Sequence, residues 1–138
     1  MTIVIGKVKK GDGFGQRLNY PTANLDYKKK PRLSQGSYAG AVLTGGKFYK
    51  SSIFIGAPKT TRQKFRVEAY LFNFSGRLYG KKMSVFIYSK VRPNLKLKTM
   101  KELLKKLADD KKKTSEIFKM EKFIKWFKGI KGQNGNKG

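Results

Sequence analysis

The sequence of 138 residues contains no cysteine and no histidine. Without cysteine there is no disulfide framework, no thiolate nucleophile and no cysteine-ligated zinc. Without histidine, Ser-His-Asp catalysis, imidazole metal ligands and the usual general base are excluded. Any catalysis must therefore use carboxylates, amines, guanidinium groups, tyrosine or hydroxyls. Any metal must accept oxygen ligands, which favours Mg²⁺ or another hard divalent cation.

Long hydrophobic runs are also missing, since no apolar stretch approaches the roughly 18 residues of a membrane span. The apolar N-terminus is short and lacks a cleavage site of small residues, so we expect no signal peptide and no membrane partner. A cysteine-free chain fits a cytoplasmic location. The length predicts one domain over residues 1–128, followed by a disordered Gly-, Asn- and Lys-rich tail over 129–138, and we expect a monomer.

Acidic residues are scarce, with 8 against 33 basic residues, which gives a formal net charge of +25. Such a charge attracts polyanions. The surplus is dominated by lysine, however, whereas nucleic-acid readers rely on arginine for forked contacts. We interpret it as a solvated surface that binds nucleic acid only incidentally. The alternative is a basic small-barrel module that binds nucleic acid and stacks bases on tyrosines. The tyrosines in question are Tyr38, Tyr49, Tyr70 and Tyr88.

The first two thirds of the chain are rich in β-branched and aromatic residues separated by turn signals. This pattern predicts strands over residues 2–8, 37–44, 47–55, 66–74 and 83–91. Gly45-Gly46 predicts a tight hairpin. Five or six strands at spacings of about ten residues indicate a small antiparallel barrel or sandwich.

The last third changes to a helical period. The first helix begins near Met100, after a Thr99–Glu102 capping box. Its apolar face consists of Met100, Leu103, Leu104, Leu107 and Ala108. A second helix is predicted over about 115–128, with an aromatic stripe that we interpret as packing surface rather than as a cofactor site.

Two features are candidates for chemistry. Clustered glycines over residues 11–15 let a backbone approach an anion closely, although the order is not a Walker A motif. Thr22 and Asn24 point to one face if the segment is extended, where their oxygens would share a hard cation with a phosphate. The alternative is that residues 21–24 form only a polar turn.

The second feature is Glu68, which lies inside a predicted strand on the same face as Tyr70 and Phe72. A carboxylate beside aromatic residues is costly unless it is paired or functional. In a chain without histidine it is the best candidate for a general base. The alternatives are a structural ion pair with one of the many lysines, or a strand that simply faces solvent.

Residues 11–25, with the block Pro21-Thr22-Ala23-Asn24, resemble the signature of the riboflavin kinase (flavokinase) family. The resemblance continues through residues 36–39, 52–56, 67–71, 78–80 and 91–93 and into the helix that contains Asp110. It implies a mainly β fold, a six-stranded antiparallel Greek-key barrel with C-terminal helices. It also implies transfer of the ATP γ-phosphate to the ribityl 5′-hydroxyl of riboflavin, giving FMN and ADP. No segment precedes the barrel, so we expect a stand-alone kinase without an adenylyltransferase domain.

The resemblance also implies roles for single residues. Glu68 would be the catalytic carboxylate, Thr22 and Asn24 would hold Mg²⁺, and Arg92 and Tyr79 would contact the flavin. The residues implied in ATP binding are Gly11, Gly13, Phe14, Gly15, Gln16, Arg17, Pro21, Thr22 and Asn24. The family usually places arginine at the positions of Phe14 and Gln16. The missing charge would come from Lys9, Lys10 or Arg17, or the chain is a degenerate homologue that binds flavin without turnover.

Overall fold

Six strands precede two helices in the part of the chain that the computed structural model describes, which is residues 1–9, 22–57, 65–96 and 98–134. The elements are β1 (Ile3–Lys9), β2 (Thr22–Tyr27), β3 (Gly36–Thr44), β4 (Lys47–Gly56), β5 (Arg66–Leu71), β6 (Lys82–Pro93), α1 (Met100–Phe118) and α2 (Glu121–Asn134).

The strands close into an antiparallel barrel in the order β1-β2-β5-β4-β3-β6. The hairpin-connected strands β3, β4 and β5 are followed by β6, which returns to lie beside β3, and this is the Greek-key arrangement. Closure leaves no unpaired sheet edge among these six strands. The predicted fold, a six-stranded antiparallel Greek-key barrel with C-terminal helices, is confirmed.

Strict alternation separates the barrel interior from its outer face. In β5, Val67, Ala69 and Leu71 are buried inside, whereas Arg66, Glu68 and Tyr70 are half-buried and point outward. A six-stranded barrel is narrow, so its interior is filled by side chains and cannot hold a substrate. Substrates must therefore bind on the outer face or at the barrel ends.

Local turn chemistry explains where several strands end. Gly45 and Gly46 both have positive φ angles, +57° and +76°, which is the backbone that a two-residue hairpin requires. The predicted hairpin is confirmed. Strand β5 ends at Leu71, earlier than predicted, because the chain turns at Asn73, which has a φ of +59°. Thr22 opens β2, so the alternative of a polar turn is wrong for the described residues Thr22 and Asn24.

The Thr99 half of the predicted capping box is confirmed at the start of α1, where the Thr99 hydroxyl accepts from the backbone N–H of Glu102 at 3.1 Å. The Glu102 carboxylate accepts from the N–H of Lys98 rather than from that of Thr99. The predicted break near residue 115 is wrong. Helix α1 continues because Thr114 is buried and donates back to the Asp110 carbonyl at 2.6 Å, and it ends only at Phe118.

Helix α2 covers the outer face of β3 and β6. Its aromatic side packs on a strip of small residues that includes Ala39 and Ala41, so the predicted packing role of the stripe is confirmed. The helix extends to Asn134, and Ile130 is buried against Phe86. The expected disordered tail is therefore wrong for residues 129–134, while residues 135–138 lie outside the described part. Neither of the two helices is both long and apolar enough to cross a membrane.

The docking of α2 gives the first prediction. Phe123 is fully buried and contacts Tyr88 and Phe118, with ring centroids 5.1 and 4.8 Å apart. Phe123→Ala should lower the free energy of unfolding by about 3–5 kcal/mol, because it leaves a cavity under the helix. Ile124→Ala removes the exposed neighbour on the same helix and should cost less than about 1 kcal/mol. Urea unfolding of both variants measures the difference, and equal losses would contradict this packing.

Candidate active site

The pairing of β2 with β5 brings the main predicted site residues together. Asn24 lies directly opposite Glu68, and Thr22 lies opposite Tyr70. All four side chains point away from the barrel interior, since the alternating residues Ala23 and Ala69 face inward. Directly opposite residues of an antiparallel pair have Cβ atoms about 4.5–5.5 Å apart. The candidate metal ligands and the candidate base are therefore immediate neighbours.

Among these four residues, Asn24 differs in the hydrogen bonding of its side chain. Its Oδ1 atom is buried and has no hydrogen-bond partner among the described residues. An unsatisfied buried acceptor costs about 1–3 kcal/mol, so such an atom calls for a ligand. No group of three or more acidic, cysteine or histidine residues forms a metal cage in the described ranges. The oxygens of Asn24 and Thr22 fit a hard cation that completes its shell with water and substrate phosphates.

Glu68 forms an ion pair with Arg66, its neighbour two residues earlier on the same face. Arg66 Nη1 donates to Glu68 Oε1 at 2.7 Å, and the side chains are 14% and 27% exposed. The sequence suggested a lysine as the structural partner, but the partner is this arginine. The contact orients one carboxylate oxygen of Glu68.

Arg92 is held by a carboxylate on the first helix. Its Nε and Nη2 atoms donate to Asp110 Oδ1 and Oδ2 at 2.7 and 2.8 Å, and its Nη1 donates to the Pro93 carbonyl at 3.0 Å. Ser37 Oγ donates to the same carboxylate at 3.4 Å. This bidentate pair ties β6 to α1. The flavin contact expected for Arg92 stays a prediction.

Tyr79 lies in the turn between β5 and β6 and is about half exposed. The turn is attached to the end of β1, because Gly80 N donates to the Val8 carbonyl at 2.8 Å and Val8 N donates to the Lys81 carbonyl at 2.9 Å. Its flavin contact also stays a prediction. The remaining predicted ATP-binding residues lie outside the described part of the chain. They are Gly11, Gly13, Phe14, Gly15, Gln16, Arg17 and Pro21.

Strand pairing adds two residues to the site. Lys9, at the end of β1, lies opposite Asn24, and Phe54 of β4 lies opposite Glu68. From the sequence alone, Lys9 is only a possible source of charge, and Phe54 has no distinguishing signal. Alternation alone shows that each points outward, but their placement beside Asn24 and Glu68 follows only from the strand order and register.

Residues 2–118 match the family described as flavokinase, riboflavin kinase. The chain belongs to the riboflavin kinase family. Its match ends at the last residue of α1, so α2 lies beyond the family segment. The barrel, the Asn24–Glu68 pair and the Arg92–Asp110 pair all lie within that segment.

Curated relatives carry the same kind of domain within longer proteins. The trifunctional protein RibF/MnmA of Mycoplasmoides gallisepticum is 37% identical over 120 residues, which is 85% of this chain and 18% of the relative. The RNA-binding riboflavin kinase RibR of Bacillus subtilis is 31% identical over 80% of this chain and 48% of the relative. A bifunctional riboflavin kinase/FMN adenylyltransferase of Buchnera aphidicola is 34% identical, covering 78% and 36%. The chain thus spans less than half the length of these relatives.

Solved structures share the fold. A macrolide-efflux protein from Streptococcus pneumoniae superposes with a TM-score of 0.71 at 25% identity, over 82% of this chain and 38% of that one. Riboflavin kinase from Trypanosoma brucei superposes with a TM-score of 0.68 at 16% identity, over 90% and 81%. At that identity, the second similarity establishes the barrel fold alone.

The unpartnered oxygen of Asn24 gives the second prediction. Asn24→Ala should leave the free energy of unfolding unchanged to within about 0.5 kcal/mol, or raise it, because it removes an unsatisfied buried acceptor. Thr44→Ala is the matched control, since the buried Thr44 hydroxyl donates to the Lys82 carbonyl at 2.9 Å. That control should cost about 1 kcal/mol. Urea unfolding without substrates compares them, and a larger loss for Asn24→Ala would mean that Asn24 has a structural partner.

The third prediction concerns the ion pair behind the site. Asp110→Ala leaves the Arg92 guanidinium, 11% exposed, without its counter-charge and should lower the free energy of unfolding by about 3–5 kcal/mol. Asp109→Ala changes the preceding residue, which is less buried, and should cost less than about 1 kcal/mol. Equal destabilisation of the two variants in urea would show that the Arg92–Asp110 contact does not stabilise the fold.

Proposed function

We propose that this chain is itself an active riboflavin kinase, which transfers the γ-phosphoryl group of ATP to the ribityl 5′-hydroxyl of riboflavin. The observation that carries the proposal is the juxtaposition of the Glu68 carboxylate with Asn24, whose buried oxygen has no hydrogen-bond partner in the part of the chain that the structure describes. Family membership supports riboflavin and ATP as the substrates. The strand register supports the mechanism, because it brings candidate cation ligands next to a candidate base.

Glu68 acts as the general base in this proposal. Its carboxylate, oriented by Arg66 at 2.7 Å, accepts the proton of the ribityl hydroxyl as that oxygen bonds to the γ-phosphorus and the bond to the ADP oxygen breaks. Phosphoryl transfer depends mainly on positioning and electrostatics, so a chain without histidine or cysteine is not handicapped.

Thr22 and Asn24 are the residues that would hold the divalent cation, together with phosphate oxygens of the nucleotide. When bound, Mg²⁺ supplies charge neutralisation on the phosphates. The protein's own contribution is to fix both oxygens on one strand, two residues apart, with Tyr70 and Glu68 as their opposite neighbours. The family resemblance assigns nucleotide binding also to the glycine-rich segment 11–15, which lies outside the described part of the chain.

A nucleic-acid module is the less supported alternative. Of the tyrosines considered for base stacking, Tyr38 is buried in the barrel and Tyr49 packs edge-on against Phe74 at 5.3 Å. Tyr88 is packed against Phe123 and Trp126 of α2 at 5.1 and 5.0 Å. These rings are already used for packing, and stacked bases would have to displace them.

The fourth prediction tests the kinase directly. The purified chain, incubated with riboflavin, ATP and Mg²⁺, should form FMN in a time-dependent reaction that a chelator stops, as followed by chromatography of the flavins. Glu68→Gln should lower kcat by roughly 10²- to 10⁴-fold, because the amide cannot accept the proton, while riboflavin still binds.

Asp26→Asn is the control for this variant, since Asp26 is an exposed carboxylate on the outer face of the adjacent strand β2. It should retain the kcat of the unmodified chain. If Glu68→Gln turns over at the same rate as this control, Glu68 is not the base. If the unmodified chain forms no FMN with ATP or CTP, the kinase proposal itself is wrong.

A further inference from the structure

One row of cross-strand neighbours runs over the outer face of four adjacent strands. Register places Lys9 of β1 opposite Asn24, Asn24 opposite Glu68, and Glu68 opposite Phe54 of β4. The row therefore has a cation at one end, a polar centre and an aromatic ring at the other end. The sequence suggests Lys9 only as one of three possible sources of charge for the nucleotide, and it gives Phe54 no role.

Lys9 is exposed and forms no side-chain hydrogen bond or ion pair with the described residues. Its neighbour Lys7, on the same face of the same strand, lies opposite Asp26 and Lys82 instead. Lys9 is the direct cross-strand neighbour of Asn24, whose buried oxygen has no hydrogen-bond partner among the described residues, so its flexible side chain starts beside the site suited to a cation and phosphates. A lysine there fits a phosphate oxygen of the bound nucleotide.

Phe54 points outward from β4 and is half-buried. It belongs to none of the three buried clusters of described residues and makes no ring–ring contact with them. The other outward aromatic residue of β4, Phe48, packs against Phe86 and Phe127 at 5.9 and 6.4 Å. An aromatic ring that makes no ring contact with the described residues, on the residue directly opposite the candidate base, fits a planar aromatic ligand.

We infer that the two substrates bind on opposite sides of Glu68. Lys9 binds the phosphates of the nucleotide, and Phe54 contacts the isoalloxazine ring of riboflavin. Adenine is also an aromatic ring that Phe54 could contact. In this arrangement, however, the nucleotide phosphates lie on the Lys9 side of Glu68, and riboflavin must present its ribityl hydroxyl to Glu68 from the other side. The ring beyond Glu68 is then the flavin. This inference rests on the proposed kinase activity.

Binding measured without turnover tests the assignment. Calorimetric titration with Mg²⁺ and ADP and fluorescence titration with riboflavin are performed on the full chain and on Lys9→Ala and Phe54→Ala. Lys9→Ala should raise the Kd for Mg²⁺–ADP roughly 10-fold or more, because a charge-assisted contact is lost, and should leave the Kd for riboflavin unchanged. Phe54→Ala should raise the Kd for riboflavin roughly 3- to 10-fold and leave that for Mg²⁺–ADP unchanged.

The controls are Lys7→Ala, from the same face of β1, and Ile5→Ala, an outward apolar residue that is 50% exposed. Neither should change either Kd. A second variant, Phe54→Leu, keeps an apolar side chain of similar size and should weaken riboflavin binding as well, so a folding defect in Phe54→Ala does not decide the result.

Three outcomes would overturn the inference. They are unchanged constants in both variants, a loss of nucleotide affinity in Phe54→Ala, which would place adenine there, and equal effects of Lys7→Ala and Lys9→Ala. FMN formation by the unmodified chain is assayed separately. An inactive chain counts against the proposed function, whereas an active chain with unaltered variants counts against the substrate assignment alone.

Discussion

The register between β2 and β5 is the constraint on which the site depends. Inside the barrel it pairs Ala23 with Ala69, two small residues that are almost completely buried. On the outer face the same register pairs Asn24 with Glu68. Since side chains alternate strictly, a slip of one residue by either strand would turn the polar group of that strand into the interior and bring its apolar groups to the surface. The packing of the core therefore fixes the spacing of the chemical groups, and the barrel needs no additional device to hold them.

The polar groups around the site differ in how completely they are hydrogen-bonded. This difference distinguishes groups that stabilise the fold from groups that are candidates for binding a ligand. The Arg92–Asp110 pair is bidentate, with a further contact from Ser37, so its charges are compensated at the seam between β6 and α1. The buried oxygen of Asn24 has no hydrogen-bond partner among the described residues, and an acceptor left unpaired in this way lowers the stability of a ligand-free fold. Groups that are fully paired stabilise a fold, whereas an unpaired buried acceptor at a candidate site is explained by a ligand that completes it.

Local signals in the sequence were sufficient for much of the fold. The alternation of residues 66–71, the Gly45-Gly46 turn and the Thr99 cap each depend on neighbours within a few residues, and all three were predicted correctly. The continuation of α2 beyond Gly129 was missed because glycine has low helix propensity, which the burial of Ile130 against the barrel outweighs. The positions of Lys9 and Phe54 beside Asn24 and Glu68 could not be predicted from the sequence. Register joins residues far apart in the sequence, and no local pattern encodes it.

The high positive charge affects how side chains pack in this protein as well as what the protein binds. Lys30, Lys50 and Lys111 lie over the rings of Phe65, Phe127 and Tyr70, with the ammonium groups 4.3, 5.6 and 5.3 Å from the ring centroids. Such contacts let a lysine cover aromatic surface with its stem while the cation meets the ring face. A chain with 33 basic and 8 acidic residues cannot pair most of its cations with carboxylates. Aromatic rings are its other available partner, which accounts for the cations of Lys50 and Lys111 between the helices and the barrel. A high net charge is therefore compatible with a folded enzyme and does not by itself indicate a polyanion as ligand.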